Sequence, residues 1–415
     1  MSDGRTDRRL DAAWLSDGAL ARLLAVLDRD GEEARVVGGA VRNALLDEPV
    51  GEIDVATTAL PDEVVRRVNA AGFKAVPTGI EHGTVTVVID GAPIEVTSLR
   101  QDVETYGRHA KVAFGRDWKI DAERRDFTMN ALSAARDGAI YDYVGGLDDL
   151  ARRHVRFIGK PDQRIEEDYL RILRFFRFNA AYGRGVLDPA GLHACIMARG
   201  GLEQLSRERV RMELIKLMVA PRAAPVLETM AGTGLLQLLI SGVPNGAHFS
   251  AMSRIEAALG LPPDAMRRLA ALTVLAREDA ERLGQKLRLS NDEQERLTAM
   301  ADGWPRLDPA MSRQSQHALV YELGGYFGDV ALLAWARSRG RVTDGAWRDL
   351  ATLPQRWLRP MFPLRAADLI GRGIAKGPAL GAALRAAEQA WITADFPSDP
   401  AVLSAIADDA ARIKG

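Results

Sequence analysis

The sequence predicts an α/β head, a mixed sheet with helices over residues 1–145, followed by all-α regions that continue to residue 415. Two observations carry this. In the first part, short runs rich in β-branched residues alternate with helical segments bounded by glycine or proline. After Gly145-Gly146 the composition turns to Ala, Leu, Arg and Glu, and apolar residues recur at helical spacing to the end. Val36-Val37 closes a short strand, Gly38-Gly39 makes a tight turn, and residues 40–46 form a helix stopped by Pro49. Residues 52–55 read as the next strand. Pro61 opens a helix that Gly72 ends, the usual placement of both residue types. Residues 84–89 and 94–98 are two strands joined through the hairpin signal Asp90-Gly91. Farther on, Ser290-Asn291-Asp292-Glu293 is a capping box, and Lys376-Gly377-Pro378 opens a helix that runs to Trp391. Turn-rich stretches at 183–189, 242–245, 303–309 and 339–345 mark the boundaries between helical parts.

A chain of 415 residues exceeds the usual size of one core and divides into several domains. The single cysteine, Cys195, excludes an internal disulfide and any multi-cysteine metal site, in keeping with a reducing, cytoplasmic location. Residues 1–17 are studded with Asp and Arg and lack the apolar stretch of an export signal, and no run is long enough to span a membrane. Net charge is −1, but it is unevenly spread. Residues 1–150 hold 18 Lys+Arg against 27 Asp+Glu, whereas residues 151–220 hold 14 against 8. An acidic metal site beside a basic nucleic-acid track has this distribution, and so do ordinary solvated helix faces.

Glu52 and Asp54 stand one residue apart on the expected strand and so project from one face. Two such acids repel unless a cation lies between them. Mg2+ takes oxygen ligands and shares itself between carboxylates and nucleotide phosphates, so the pair suits a metal-bound nucleoside triphosphate; taken alone it is also what a solvated strand face looks like. Gly38-Gly39 allows close backbone approach, and the helix starting there offers free amides to phosphate. In Arg124-Arg125-Asp126-Phe127-Thr128-Met129-Asn130, the arginines can hold phosphate, and Asp126 and Asn130, one turn apart, can bracket a ribose hydroxyl. Asp126 could equally be a helix cap. Glu167, Asp168, Arg171, Arg174 and Arg177 fall on what reads as one long helix, with Asp168, Arg171 and Arg174 along one side. An ion-pair ladder would have that spacing. So would a base reader: a carboxylate accepts from the exocyclic amine of cytosine or adenine while a guanidinium donates to the adjacent ring nitrogen, a pattern that uracil and guanine cannot match.

In this order and spacing, Gly38-Gly39-Ala40-Val41-Arg42, Glu52-Ile53-Asp54, the Arg124-Arg125-Asp126 block and Glu167-Asp168-Tyr169-Leu170-Arg171 resemble the motifs of the tRNA nucleotidyltransferase (CCA-adding enzyme) and bacterial poly(A) polymerase family, class II nucleotidyltransferases. The resemblance covers roughly the first half of the chain. It implies an α/β nucleotidyltransferase head (1–145) followed by an all-α neck (146–215), body (216–335) and RNA-contacting tail (336–415). It implies catalytic Glu52, Asp54 and Glu95, the first two as ligands of Mg2+. Nucleotide binding falls to Gly39, Arg42, Arg124, Arg125, Asp126 and Asn130. Base reading falls to Asp168 and Arg171, with Glu167 orienting them and Arg174 and Arg177 near phosphate or ribose.

The implied reaction is template-independent transfer of CMP and AMP from CTP and ATP to the 3′ end of tRNA, with release of pyrophosphate. Residues 100–122, rich in Gly, Asp, Arg and Lys, resemble the family's flexible loop and favour completion of CCA over arrest at CC. Two departures stand out: Glu52 replaces the usual first aspartate, and Asn43 follows Arg42 where aspartate is common. The rivals are a poly(A) polymerase of the same family and a non-catalytic RNA-binding protein that keeps the fold. The six histidines show no paired metal spacing, and monomer and homodimer both remain open.

Overall fold

The computed structural model describes residues 3–106, 109–240, 242–338 and 340–412. The chain forms two compact units, Met1–Leu235 and Leu236–Gly415. No helix among the described residues is long and apolar enough to cross a membrane.

Among the described residues the first unit is built on ten strands: β1 (Arg5–Arg9), β2 (Ala34–Val37), β3 (Asp54–Thr57), β4 (Lys74–Gly79), β5 (Thr84–Ile89), β6 (Ala92–Ser98), β7 (Arg100–Tyr106), β8 (His109–Phe114), β9 (Ser133–Ala135) and β10 (Ala139–Tyr141). Eight of them form one mixed sheet in the order β1-β10-β9-β2-β3-β6-β5-β4, while β7 and β8 pair separately. β3 and β6 run parallel, which sets Asp54 beside Glu95; β2 and β3 run antiparallel, which sets Val37 opposite Asp54. The β5–β6 turn is the expected one, with Asp90 and Gly91 both at positive φ (53° and 81°), as a two-residue hairpin requires. Helices Gly18–Leu27 and Pro61–Ala70 bury Leu20, Leu23, Leu24, Leu27, Val64 and Val68 on this side of the unit, and Pro61 occupies the first turn as expected.

Beyond the sheet, the helices Pro161–Glu167, Leu170–Ala181, Pro189–Met197 and Arg207–Met218 continue the same unit. They meet the sheet region through an aromatic cluster. Phe127 bridges to Phe157 by backbone pairing, and its ring lies 4.9 Å from that of Phe157, 5.1 Å from Phe178 and 6.4 Å from Phe175. The Arg124–Asn130 stretch is thereby pinned between sheet and helices.

Three readings of the sequence are corrected here, and one strand is added. The strand expected at 52–55 begins only at Asp54: its partner β2 ends at Val37 opposite that residue and the chain then turns away at Gly38, so Glu52 and Ile53 have no antiparallel partner on that side. The single helix expected through Glu167 to Arg177 is broken at Asp168, whose φ of −158° is extended. Asp168 Oδ1 instead accepts from the Leu170 amide at 3.1 Å, and the Tyr169 ring packs onto Gly201 so tightly that a Cβ there would lie 2.1 Å from it. The stretch 100–122 is a β7–β8 hairpin leading into the helix Trp118–Glu123; Gly107 and Arg108 lie outside the described residues. Its charged composition hid a pairing held by backbone hydrogen bonds. The acidic and basic run at the start contains β1, an edge strand against β10 with exposed side chains and therefore no apolar alternation to read.

The second unit is helical. Its helix Asn291–Gly303 starts with the expected capping box, Ser290 Oγ accepting from the Glu293 amide and Glu293 Oε2 from the Ser290 amide. Fully buried Glu256 is neutralised by Arg267 and Arg268 at 2.9 and 2.7 Å. A separate apolar cluster gathers Tyr321, Leu369, Ala387, Trp391, Ile406 and Ala407, with the helix Pro378–Thr393 running through it as the Gly377-Pro378 start predicts.

Candidate active site

The end of β2, the start of β3 and the helix Leu170–Ala181 converge on one cavity of about 580 Å³, within the range of ligand pockets. Of the residues singled out in the sequence, Gly39, Arg42, Glu52, Asp54, Arg124, Arg125, Asp126, Asn130, Asp168, Arg171, Arg174 and Arg177 line it. Glu95 stands on the strand beside Asp54 and Glu167 behind Arg171, both outside the lining.

Gly38 shapes the mouth. Its φ of 71° and ψ of −123° suit glycine, and a Cβ there would press on Arg125 Nη1 at 3.1 Å. The floor is acidic. Glu52, Asp54 and Glu95 are exposed carboxylates, and none of them has a hydrogen bond or ion pair to the protein among the described residues. Partial burial and the charge of Glu95 push the Asp54 carboxyl above the ordinary range, Arg125 opposes this, and Glu52 adds to it. Among the described residues no group of three or more His, Cys, Asp or Glu could hold a metal by itself. Two carboxylates that lack a cation fit a hard divalent ion whose remaining ligands come from phosphate and water.

The opposite wall is basic and paired. Buried Asp121 holds both Arg124 (2.8 Å) and Arg125 (3.2 Å). Asp126 accepts from Arg174 Nε at 2.7 Å, from Asn130 Nδ2 at 3.0 Å and from the Phe127 amide at 2.8 Å. Burial works against its charge, yet these partners hold its carboxyl below the ordinary range. Asp126 and Asn130 are thus bonded to each other, and Asp126 does not cap the short helical turn Thr128–Asn130 that follows. Arg177 pairs with buried Glu213, and Arg171 with Glu167 and the Arg164 carbonyl. Asp168 and Arg171 are not each other's partners: Asp168 is held through both oxygens by Arg209, at 3.1 and 2.6 Å. One lone pair on Oδ2 remains for an incoming donor. Phe178 carries Arg42, Arg174 and Arg177 around its ring at 5.2, 5.2 and 4.4 Å.

Arg209, Glu213, Asp121, Phe178 and Tyr182 were not singled out in the sequence. Phe178 was within reach, four residues after Arg174 on the same helix. Arg209 and Glu213 share a face of the helix Arg207–Met218, but nothing local ties that face to Asp168, 41 residues away.

Comparison with known proteins gives the family. Residues 34–156 match the poly A polymerase head domain family, and residues 187–245 match the family described as a probable RNA and SrmB- binding site of polymerase A. The chain is similar to CCA tRNA nucleotidyltransferase 1, mitochondrial, of Danio rerio, 35% identical over 399 residues, 91% of this chain and 87% of that protein. It is 30% identical over 410 residues to the CCA-adding enzyme of Levilactobacillus brevis, covering 93% and 96% of the two chains. The structure of the Bacillus stearothermophilus CCA-adding enzyme in complex with CTP superposes with a TM-score of 0.74 at 26% identity, over 96% of this chain and 98% of that one.

Proposed function

Because the chain belongs to the CCA-adding tRNA nucleotidyltransferase family, we propose that it transfers CMP and then AMP from CTP and ATP to the 3′ end of tRNA, releasing pyrophosphate. The observation that carries this is the meeting, in one cavity, of an unpaired acidic floor with a wall of arginines and the Asp168 carboxylate. In this reading the triphosphate lies against the Gly38-Gly39 turn, Arg42, Arg124 and Arg125, and the ribose against Asp126 and Asn130. The base meets Asp168 and Arg171, with Arg174 and Arg177 near phosphate or ribose. The RNA 3′-hydroxyl attacks the α-phosphate in line, and no covalent enzyme intermediate forms. Mg2+ would be held by Glu52 and Asp54, neutralising charge on the phosphates as they separate; Glu95 is the third carboxylate of the centre.

Asp168 selects by its remaining lone pair, which accepts from the amine of cytosine or adenine and repels the carbonyl of uracil or guanine. Arg209 fixes the plane of that carboxylate. The division into head (1–145), neck (146–215), body (216–335) and an RNA-binding tail (336–415) belongs to the same reading. So does a cytoplasmic location, against which the mitochondrial name of the Danio rerio relative is to be weighed by fractionation.

Incubation of tRNA lacking its CCA end with CTP and ATP tests the proposal: three nucleotides, C, C and A, are expected, with one pyrophosphate for each. Long A tails from ATP alone would replace it with poly(A) synthesis, and RNA binding without pyrophosphate release would reduce the chain to a binding protein.

A further inference from the structure

We infer that Asn43, which lies outside the cavity lining, sets the strength of anion binding by leaving Arg42 as the cavity's one guanidinium, among the described residues, without a carboxylate partner. The inference deepens, and rests on, the reading of the cavity as a nucleoside triphosphate site.

Seven arginines line the cavity. Six are paired: Arg124 and Arg125 with Asp121, Arg171 with Glu167, Arg174 with Asp126, Arg177 with Glu213, Arg209 with Asp168. Arg42 is only 6% exposed, yet every group it bonds is neutral. Its Nε and Nη2 donate to Asn43 Oδ1 at 3.1 and 2.8 Å, its Nη1 donates to Asn130 Oδ1, and its Nη2 also donates to the Tyr182 hydroxyl at 2.8 Å. The Tyr182 ring lies 4.0 Å from the guanidinium carbon and softens the burial of the charge.

The Asn43 amide has one orientation available. Its Nδ2 donates to the Pro49 carbonyl at 2.8 Å, so the oxygen must face Arg42. A carboxylate of the same shape at this position would lie as close to Arg42 as the amide does and would convert it into a seventh ion pair. The difference matters to an arriving anion. At six arginines it must compete with a carboxylate already in place, and at Arg42 it competes only with the neutral oxygens of Asn43, Asn130 and Tyr182. Arg42 is therefore where the wall attracts a pyrophosphate or triphosphate group with net charge, and Asn43 keeps it so. Asn43 is a positioning residue that touches Arg42 and not the ligand.

The test is binding of inorganic pyrophosphate, with magnesium present, to the full-length protein by calorimetry, together with KM and kcat for CTP. Asn43→Asp is expected to weaken pyrophosphate binding about tenfold and to raise KM for CTP in parallel, with a smaller change in kcat. Asn43→Ala, which adds no charge, should weaken binding less than about threefold. Arg42→Gln should lose about tenfold and Arg177→Gln much less, a contrast that holds the inference to account even if Asn43→Asp does not fold. Wild-type affinity in Asn43→Asp, equal losses in the Asp and Ala variants, or equal losses in Arg42→Gln and Arg177→Gln would each overturn it while leaving the proposed function standing. A wild-type protein that binds neither pyrophosphate nor CTP would overturn the proposed function and this inference together.

Discussion

The floor and the wall of the cavity are built on opposite electrostatic plans. On the floor, Glu52, Asp54 and Glu95 form no ion pair among the described residues, and partial burial together with Glu95 makes Asp54 harder to ionise although Arg125 opposes this. On the wall, arginines and carboxylates are matched nearly one to one, and buried Asp126 is easier to ionise than a free carboxylate despite its burial. The floor is incomplete without a ligand, whereas the wall is complete without one. Function and stability are therefore expected to separate between them, residue by residue.

The largest effect should come from Asp54→Ala. Loss of a ligand to the activating ion should lower CTP incorporation on the order of a thousandfold or more, measured by single-turnover extension of tRNA. Folding should not suffer. Because the folded protein binds the Asp54 proton more tightly than the unfolded chain does, ionised Asp54 costs stability above its raised pKa, and protonation relieves that cost as pH falls. The variant should thus melt at or above the wild-type temperature at neutral pH, with the difference shrinking in acid. A variant that melts well below wild type would mean that the floor is scaffold.

Asp126→Ala should differ by losing stability as well as nucleotide binding. It strands Arg174, Asn130 and the Phe127 amide in a buried place, at a cost of about 3 kcal/mol in denaturant unfolding. The contribution of Asp126 is present above the ordinary carboxylate pKa and is lost as pH falls through its depressed one, so acid should erase the difference between variant and wild type. Unchanged stability would break the contrast drawn here.

Next in size is base choice. Asp168→Ala should slow CTP and ATP use by roughly ten- to a hundredfold and relax rejection of UTP and GTP. Arg209→Ala should act in the same direction, about tenfold, since it frees the carboxylate that it now clamps. Incorporation of all four nucleotides by both variants decides the matter; intact selectivity would leave this wall as an ion-pair ladder. The smallest effect is expected from Glu52→Asp, which should change the rate less than about tenfold, whereas Glu52→Ala should abolish transfer as Asp54→Ala does, a comparison that weighs charge against length.

The sequence made the floor and the cradle legible because their chemistry is local. Asp90-Gly91, Pro61 and the Gly38-Gly39 turn announce themselves by residue type, whereas Glu95 was reached through its motif and the parallel register that sets it beside Asp54 is seen only in the fold. The wall was legible in its composition and hidden in its pairing. Asp168 stands at the end of one helix because Leu170 and Arg209 hold it there, and Arg209 lies 41 residues away. The helix break, and with it the orientation of the base reader, is a tertiary fact. β1 and the β7–β8 hairpin were hidden for a different reason: their pairing is backbone to backbone, and their side chains carry little apolar alternation.

The ring of Phe127 has a consequence for how such an enzyme can be divided. It follows Asp126 directly, and phenylalanines from beyond residue 150 enclose it: Phe157, Phe175 and Phe178. A fragment that ended after the sheet would carry every floor carboxylate and yet lay this ring bare to water, losing on the order of 2 kcal/mol from that side chain alone together with the anchor that orients Asp126. Lineages that shuffle these proteins by recombination should therefore exchange the sheet and its first helices as one inherited block, with tolerated crossover points falling only after the aromatic cluster is closed.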